Sequence, residues 1–348
     1  MENLFSGNSK KSNNVSLAAK WAPSEKSNKW PGLAKKIMKE LGMSPKQYRK
    51  LLSKLRAELK VVETQMCSNK WSEITFAHVP SYAMKNYRKA FAKHDKVRWD
   101  AYLESVEKGE SKVNAATLYP HDLVRQVYGG KKDKLIDLQW RALPNYMLEN
   151  KERVLPVCDV SGSMSGLPME VCVALGLYIS ERNQGIFKDA FITFSGNPTL
   201  QYVKGKTLSE RVTCLSSAEW GMNTDLEKVF QVVLDRAVKH HVSSEEMPTM
   251  ILIMSDMQFD QAVESPTSTL MDVIRQQYQA AGYSLPKIVF WNLASKIGVP
   301  VKFDEQGTAL VSGFSPSLLT GLLSGKGISP EAVMRTIIDM PRYAAVSV

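Results

Sequence analysis

The sequence lacks several features that would assign it to common classes of protein. Its 348 residues include only four cysteines, none of them in a C-x-x-C pair. This argues against a disulfide framework or a zinc site and favours reduced thiols in a cytoplasmic protein. We recognise no secretory signal and no run of about 18 apolar residues that could span a membrane. The G-x-S-x-G motif of serine hydrolases is also missing, because Met164 stands two positions after Gly162.

Acidic residues are scarce in the first part of the chain. Residues 1–150 contain 28 Lys and Arg against 15 Asp and Glu, whereas residues 151–348 contain 17 against 20. The net charge of +10 therefore belongs to the first part alone. Such an asymmetry predicts an anionic partner for that part, with nucleic acid as the commonest candidate. The alternative is that these basic residues lie on lysine-rich helices that contact only solvent.

The first 150 residues predict an arm followed by a smaller all-α domain. Residues 1–29 are polar, rich in Ser, Asn and Lys, and are predicted to be disordered or loosely docked. Residues 30–150 predict a basic helical domain. Ser44 and Pro45 mark one helix start, with the serine as N-cap and the proline in the first turn, where its missing amide is no loss. Another helical pattern runs through residues 81–109, and Pro120 opens a further short helix.

The helix that begins at Pro45 has an apolar stripe, with basic residues largely on its other side. These basic residues are the candidate nucleic-acid ligands: Lys46, Arg49, Lys50, Lys54 and Arg56. Five tryptophans fall in the same basic part: Trp21, Trp30, Trp71, Trp99 and Trp140. Aromatic rings on a basic surface can stack on unpaired bases, but tryptophans at helical spacing more often form a core, so we predict core positions.

After residue 150 the pattern changes to apolar runs that alternate with amphipathic segments. The predicted strands are 154–159, 189–194, 250–255, 288–292 and 308–311, with an antiparallel edge strand within 198–205. The predicted helices are 168–182, 225–240, 269–281, 316–323 and 330–339. Near-continuous apolar strands that alternate with helices predict a doubly wound α/β domain over residues 151–348, with a mostly parallel sheet covered on both faces.

Polar side chains follow two of these strands directly. Asp159, Ser161 and Ser163 follow the first strand in alternate positions, and Asp256 follows the run 250–255. In an open parallel sheet, the ligand crevice lies at the carboxyl ends of the strands. Thr224 precedes a predicted helix between them. A few hard oxygen ligands suit a divalent cation that keeps several waters, as Mg²⁺ does.

These five positions resemble the metal-ion-dependent adhesion site of von Willebrand factor A domains. All five occur in that family's order, and the resemblance covers residues 153–348. It implies that Ser161, Ser163 and Thr224 bind Mg²⁺ directly or through water, with Mn²⁺ or Ca²⁺ as alternatives. It also implies that Asp159 and Asp256 act mainly through bound waters, and that a partner protein offers an Asp or Glu to the metal.

Longer segments, among them "GMSPKQYRKLLSKLR", "CDVSGSM" and "SDMQFD", resemble an uncharacterised family found in plants, bacteria, phages and large DNA viruses. That family joins a helical region to a von Willebrand factor A domain. Its plan is similar to that of the Ro (TROVE) ribonucleoproteins, in which a ring of helical repeats binds RNA. The resemblance implies structured or single-stranded RNA as a partner, but residues 30–150 are too few for a closed ring.

Other functions fit the motifs less well. A phosphatase of the haloacid dehalogenase type also has an aspartate at a strand end, and Asp256 and Asp260 mimic its paired aspartates. That chemistry needs a second carboxylate two residues after Asp159, where Ser161 stands. A phosphate-binding loop leaves Thr224 and Asp256 unexplained. The sequence thus favours a non-enzymatic binding protein with a Mg²⁺ site and an RNA-binding helical module. The alternative is a protein-assembly scaffold without nucleic acid.

Overall fold

The computed structural model divides into two compact units, the first ending at Asn114 and the second beginning at Ala115. We call them the helical unit and the sheet unit. The structure describes residues 18–30, 32–130, 133–147, 152–193, 197–218, 226–256, 268–294 and 308–313, together with residues 331, 334, 335, 338 and 339.

The helical unit consists of short helices whose ends follow local capping rules. Ser44 accepts a hydrogen bond from the amide of Gln47, and the Gln47 side chain accepts one from the amide of Ser44, as the predicted helix start requires. Its helices are α1 (Ala18–Trp21), α2 (Leu33–Glu40), α3 (Pro45–Glu58), α4 (Val62–Cys67), α5 (Ser81–His94) and α6 (Lys96–Glu107). The helical pattern over 81–109 is interrupted at Asp95, whose backbone angles (φ −148°, ψ 58°) are not helical.

An aromatic cluster fills the core between α5 and α6. The ring of Phe76 lies 5.3 Å from that of Phe91 and 5.2 Å from that of Trp99, measured between centroids. Phe91 and Trp99 are 5.5 Å apart, and Trp99 is 4% exposed. Tilted and edge-on pairs at these distances stabilise one another beyond the area that they bury. The prediction of a core position is therefore confirmed for Trp99.

The sheet unit is built on six strands. They are β1 (Val154–Cys158), β2 (Ala190–Thr193), β3 (Leu200–Tyr202), β4 (Met250–Ser255), β5 (Lys287–Asn292) and β6 (Thr308–Ser312). Their order in the sheet is β3-β2-β1-β4-β5-β6, and every neighbouring pair is parallel except β2 with β3. The chain winds outward from β1 in one direction and from β4 in the other. The strand order therefore reverses between β1 and β4, where such sheets bind their ligands.

Helices cover both faces of this sheet. They are α7 (Pro120–Tyr128), α8 (Lys134–Arg141), α9 (Leu167–Ser180), α10 (Leu208–Ser216), α11 (Leu226–Lys239) and α12 (Ser268–Ala280). Successive residues of β4 point to opposite cores: Leu252 packs in the cluster that contains α9, and Ile253 in the one that contains α11. The predicted fold class, a doubly wound and mostly parallel sheet preceded by helices, is confirmed.

Helices α7 and α8 belong to the sheet unit, although the change of sequence pattern near residue 150 places them in the helical domain. Every residue of α9 from Val171 to Ser180 is buried, so this helix needs cover on the side away from the sheet. Leu123 of α7 and Trp140 of α8 lie in the same buried cluster as α9. The division between units thus lies about 35 residues before the predicted boundary.

Some predicted elements fall partly or wholly outside the described residues. The helix predicted at 316–323 lies outside them, and within 330–339 the described residues 331, 334, 335 and 338 are helical. Among the described helices, none combines the length and the apolar character that a membrane span requires.

Candidate metal-ion site and basic helical surface

Asp159 is held rigidly at the carboxyl end of β1. Its amide donates to the carbonyl of Met254, which continues the pairing of β1 with β4 by one residue. Its Oδ1 accepts from the amide of Ser161 at 3.0 Å, and its Oδ2 accepts from the hydroxyl of Ser255 at 2.7 Å. Asp159 is 5% exposed. Each carboxylate oxygen has a second lone pair, so the group can still accept hydrogen bonds from waters on a metal.

The loop after Asp159 presents two hydroxyl groups side by side. The Oγ atoms of Ser161 and Ser163 are 3.0 Å apart. The chain makes a 3-10 turn over Gly162–Met164, which includes Ser163. The buried side chain of Met164 anchors that turn in the core. Gly166 closes the loop with φ +92°, a conformation that favours glycine. Two hydroxyls and one carboxylate are therefore placed by a loop of defined shape.

Asp256 lies at the same edge of the sheet. It follows β4 directly and is 3% exposed. Because Cys158 pairs in register with Met254, the residues that follow β1 and β4 leave the sheet side by side. The structure thus brings Asp159, Ser161, Ser163 and Asp256 to the point where strand order reverses. Thr224 and Asp260 lie outside the described residues.

Sequence reasoning missed Ser255 as part of this arrangement. Its hydroxyl is the donor that orients Asp159, and it is 1% exposed at the end of β4. The available signal was a polar residue inside an apolar run, directly before an aspartate at a strand end. In the part of the chain that the structure describes, no three His, Cys, Asp or Glu side chains form a metal-binding group. Oxygen donors with two carboxylates and two hydroxyls instead fit a hard divalent cation.

Two buried cysteines lie behind the loop. Cys158 and Cys172 are both fully buried, and burial raises the pKa of the Cys172 thiol well above its usual value. Gly176 lets α9 approach β1 closely, because a Cβ at this position would lie 2.5 Å from the sulfur of Cys158. The Cys172 thiol therefore stays protonated and serves packing rather than metal binding.

The five basic residues predicted on α3 have two different environments. Lys46, Lys50 and Lys54 are exposed. Arg49 is also exposed, but it pairs with Glu25. Arg56 donates to the backbone carbonyls of Ala22 at 2.7 Å and Ala19 at 3.4 Å.

Arg49 and Arg56 thereby hold the segment that precedes α2 against α3. The Tyr48 hydroxyl contributes by donating to the carbonyl of Pro23 at 2.8 Å. The described part of the predicted arm, residues 18–29, is therefore docked along α3 by side chains from that helix.

The predicted tryptophans also differ in their exposure to solvent. Trp140, like Trp99, is buried. Trp71 stacks on His94, with ring centroids 4.1 Å apart and the planes nearly parallel. Trp21 and Trp30 are 66% and 42% exposed, so the predicted core position is wrong for these two. Both precede the first long helix, where helical spacing gives no information on burial.

Comparison with known families gives two matches. A family model described as "Domain of unknown function (DUF7788)" matches residues 153–340. A second, described as "Domain of unknown function (DUF2828)", matches residues 33–152.

Two individual proteins are also similar to this chain. "Uncharacterized protein L728" of Acanthamoeba polyphaga mimivirus is 34% identical over 346 residues, an alignment that covers 93% of this chain. The chain spans 60% of the length of that relative. The crystal structure of the Ro (RSR) protein of Deinococcus radiodurans superposes with a TM-score of 0.42 at 14% identity, covering 91% of this chain and 73% of that one.

Proposed function

This chain belongs to the DUF7788 family, and from that premise we propose that it is a non-enzymatic binding protein with two separate binding surfaces. The sheet unit binds Mg²⁺ at the carboxyl ends of β1 and β4 and, through the metal, an acidic group of a protein partner. The helical unit binds RNA through its basic residues. Each function is supported by its own observations and is tested separately.

The observation that carries the metal function is the preorganised carboxylate of Asp159. An amide and a buried hydroxyl fix both of its oxygens beside two adjacent serine hydroxyls, at the reversal of strand order. A rigid set of this kind loses little freedom when a cation binds.

We assign the following roles to the residues. Ser161 and Ser163, with Thr224, which precedes α11 in the sequence, bind the cation directly or through water. Asp159 and Asp256 hold its waters and supply negative charge. When bound by these residues, Mg²⁺ would supply a positive charge to which a carboxylate of the partner could bind. Mn²⁺ and Ca²⁺ are alternatives that offer the same chemistry.

A calorimetric titration of Mg²⁺ into the whole chain tests this function. We expect one binding site per chain, with competition by Mn²⁺. Absence of binding at millimolar Mg²⁺ would contradict the metal function. The result would leave the RNA function untouched, because its proposed residues all belong to the helical unit.

The RNA function is supported by charge. Residues 1–114 contain 23 Lys and Arg against 11 Asp and Glu, so the helical unit carries a net charge of +12, whereas residues 115–348 carry −2. The net positive charge of the chain thus belongs entirely to the helical unit. A compact unit of this charge attracts polyanions at long range.

Reversal of the exposed lysines of α3 is expected to weaken RNA binding. Lys46, Lys50 and Lys54 point to solvent, so changing all three to Glu spares the apolar side of the helix. We expect lower RNA affinity and a smaller change of log affinity with log salt, because fewer counterions are released from the RNA. Fluorescence anisotropy titrations at several salt concentrations measure both quantities.

Glu104, Glu107 and Glu110, exposed on or just after α6, provide a matched control. Changing them to Gln alters three exposed charges without removing a basic residue, and should not reduce RNA affinity. Equal affinity and equal salt dependence for wild type and the lysine variant would remove this surface from the interface. If the wild-type chain binds no RNA, the protein-assembly scaffold becomes the better explanation.

A further inference from the structure

Three clefts in the helical unit lie beside one another and share lining residues. The largest, of about 680 Å³, is lined by residues from the end of α3, from α4 and from the chain before α5. Lys20, Val61 and Thr64 line both this cleft and a second one. Ser53 and Arg56 line both the second cleft and a third, which lies along residues 24–26. We call this surface the α1–α3 groove.

The groove carries more positive than negative charge. Six basic residues line it, namely Lys20, Lys26, Arg49, Arg56, Lys60 and Lys70, against three acidic ones, Glu25, Glu63 and Glu73. Each acidic residue lies beside a basic one: Glu25 beside Arg49, Glu63 beside Lys20, and Glu73 beside Lys70. The remaining charge of +3 belongs to Lys26, Arg56 and Lys60, which lie at different points along the groove. This distribution suits a ligand with evenly spaced negative charges.

An exposed aromatic ring stands in the middle of the groove. Trp21 lines the second cleft and is 66% exposed, the highest exposure among the described tryptophans. The Lys20 ammonium lies 5.6 Å from the centroid of its ring. The short helix α1 that carries Trp21 is fixed by Arg56, which binds the carbonyls of Ala19 and Ala22. The indole is thus presented to solvent from an anchored backbone.

We propose that the α1–α3 groove binds single-stranded nucleic acid, with an unpaired base stacked on Trp21 and phosphates beside Lys26 and Lys60. This assignment rests on the proposed RNA function and names the form of RNA and its position. A base in a duplex is enclosed between its neighbours and cannot stack on a protein ring, whereas an unpaired base can. The ring selects unpaired bases, and the lysines on either side follow the backbone.

The test is an anisotropy titration of the full chain with a labelled 15-nucleotide single-stranded RNA and with a duplex of equal length. Trp21→Ala is expected to lower the affinity for the single strand about 5- to 100-fold, since one stacking contact is lost. Its salt dependence should not change, because the indole is uncharged. Affinity for the duplex should stay the same. Trp30→Ala, which removes an exposed tryptophan outside the three clefts, is the matched control and should bind as the wild type does.

A charge variant tests the path of the strand independently of the ring. Lys26→Gln with Lys60→Gln removes two phosphate contacts, so the slope of log affinity against log salt for the single strand should become shallower by about 1.4.

Two results would overturn the groove assignment while the RNA function stands. One is an unchanged affinity of Trp21→Ala for the single strand, and the other is an equal loss of affinity in Trp30→Ala. Preference of the wild type for the duplex would do the same. Binding of a polyglutamate peptide in place of either RNA would overturn both the groove assignment and the RNA function.

Discussion

Replacement of Asp159 by Asn is expected to weaken Mg²⁺ binding at least about 10- to 100-fold, the usual effect of losing a group that holds a metal's ligands or waters. Asn has nearly the same shape as Asp, and its carbonyl oxygen can still accept the hydrogen bond from the amide of Ser161. The change therefore removes the negative charge while it keeps the loop. Calorimetry measures the affinity, and thermal unfolding checks that the fold is retained.

Asp159→Asn is a cleaner variant than Asp159→Ala. The carboxylate is buried and accepts a hydrogen bond from the hydroxyl of Ser255, so alanine would remove this buried hydrogen bond and lower the stability as well as the metal affinity. Asp235→Asn is the matched control: Asp235 is exposed on α11, away from the carboxyl ends of β1 and β4, and accepts only from Gln231 among the described contacts. We expect it to bind Mg²⁺ as the wild type does. Equal Mg²⁺ affinity in Asp159→Asn and in wild type would rule out this assignment.

A fragment that begins at residue 151 is expected not to fold, whereas a fragment that begins at Ala115 should. The shorter fragment lacks α7 and α8 and so exposes the outer face of α9. Leu123, Val124, Ile136 and Trp140 are each at most 2% exposed in this layer. At about 1.5–3 kcal/mol for each large buried side chain, losing the layer removes on the order of 10 kcal/mol. That equals the whole stability of a typical domain, about 5–15 kcal/mol.

Polar contacts also make the sheet unit depend on residues 115–150. The Trp140 indole donates to Glu181 at 2.8 Å, and Arg211 lies 2.9 Å from the same carboxylate. The hydroxyl of Tyr178 donates to the carbonyl of Pro144 and accepts from the amide of Tyr146. Removing residues 115–150 takes Trp140 from Glu181 and takes Pro144 and Tyr146 from the Tyr178 hydroxyl, while Arg211 remains beside Glu181.

Circular dichroism and thermal unfolding of the two fragments make the comparison. The fragment 115–348 serves as the control, because it keeps α7 and α8 and differs from 151–348 only by this layer. We expect a cooperative transition for 115–348 and none for 151–348. If both fragments unfold cooperatively at the same temperature, the layer formed by α7 and α8 is not required for the fold.

Much of the sheet unit is predictable from sequence, because apolar runs and their polar ends are local signals. The runs at 154–159 and 250–255 predicted β1 and β4, and the aspartates that follow them predicted the edge of the sheet at which the proposed site lies. The packing of α7 and α8 in the sheet unit was less predictable for a physical reason. An amphipathic helix such as α7 shows which side is buried but not which unit covers it. The better signal was α9, which is apolar on all sides and so requires a second layer.

The contacts of the basic residues on α3 were also not predictable from the local sequence. Charge and spacing placed Arg49 and Arg56 with the exposed lysines of α3, but Arg56 binds backbone carbonyls more than 30 residues away. Partners so distant in the chain leave no pattern in the local sequence. Trp21 is exposed for a related reason, since Arg56 and the buried Ala19 hold its short helix in place without the indole. Ser255 could have been noticed as a polar residue at the end of an apolar run.

A crystal of the full chain grown with Mn²⁺ tests the central claim most directly, because anomalous scattering locates this ion without assumptions about its ligands. We predict one strong peak at the carboxyl ends of β1 and β4, within coordination distance of the hydroxyls of Ser161 and Ser163. Added Mg²⁺ should weaken that peak by competition. A peak elsewhere on the chain, or none beside Asp159 at saturating Mn²⁺, would contradict the assignment of this edge of the sheet as a metal-dependent binding site.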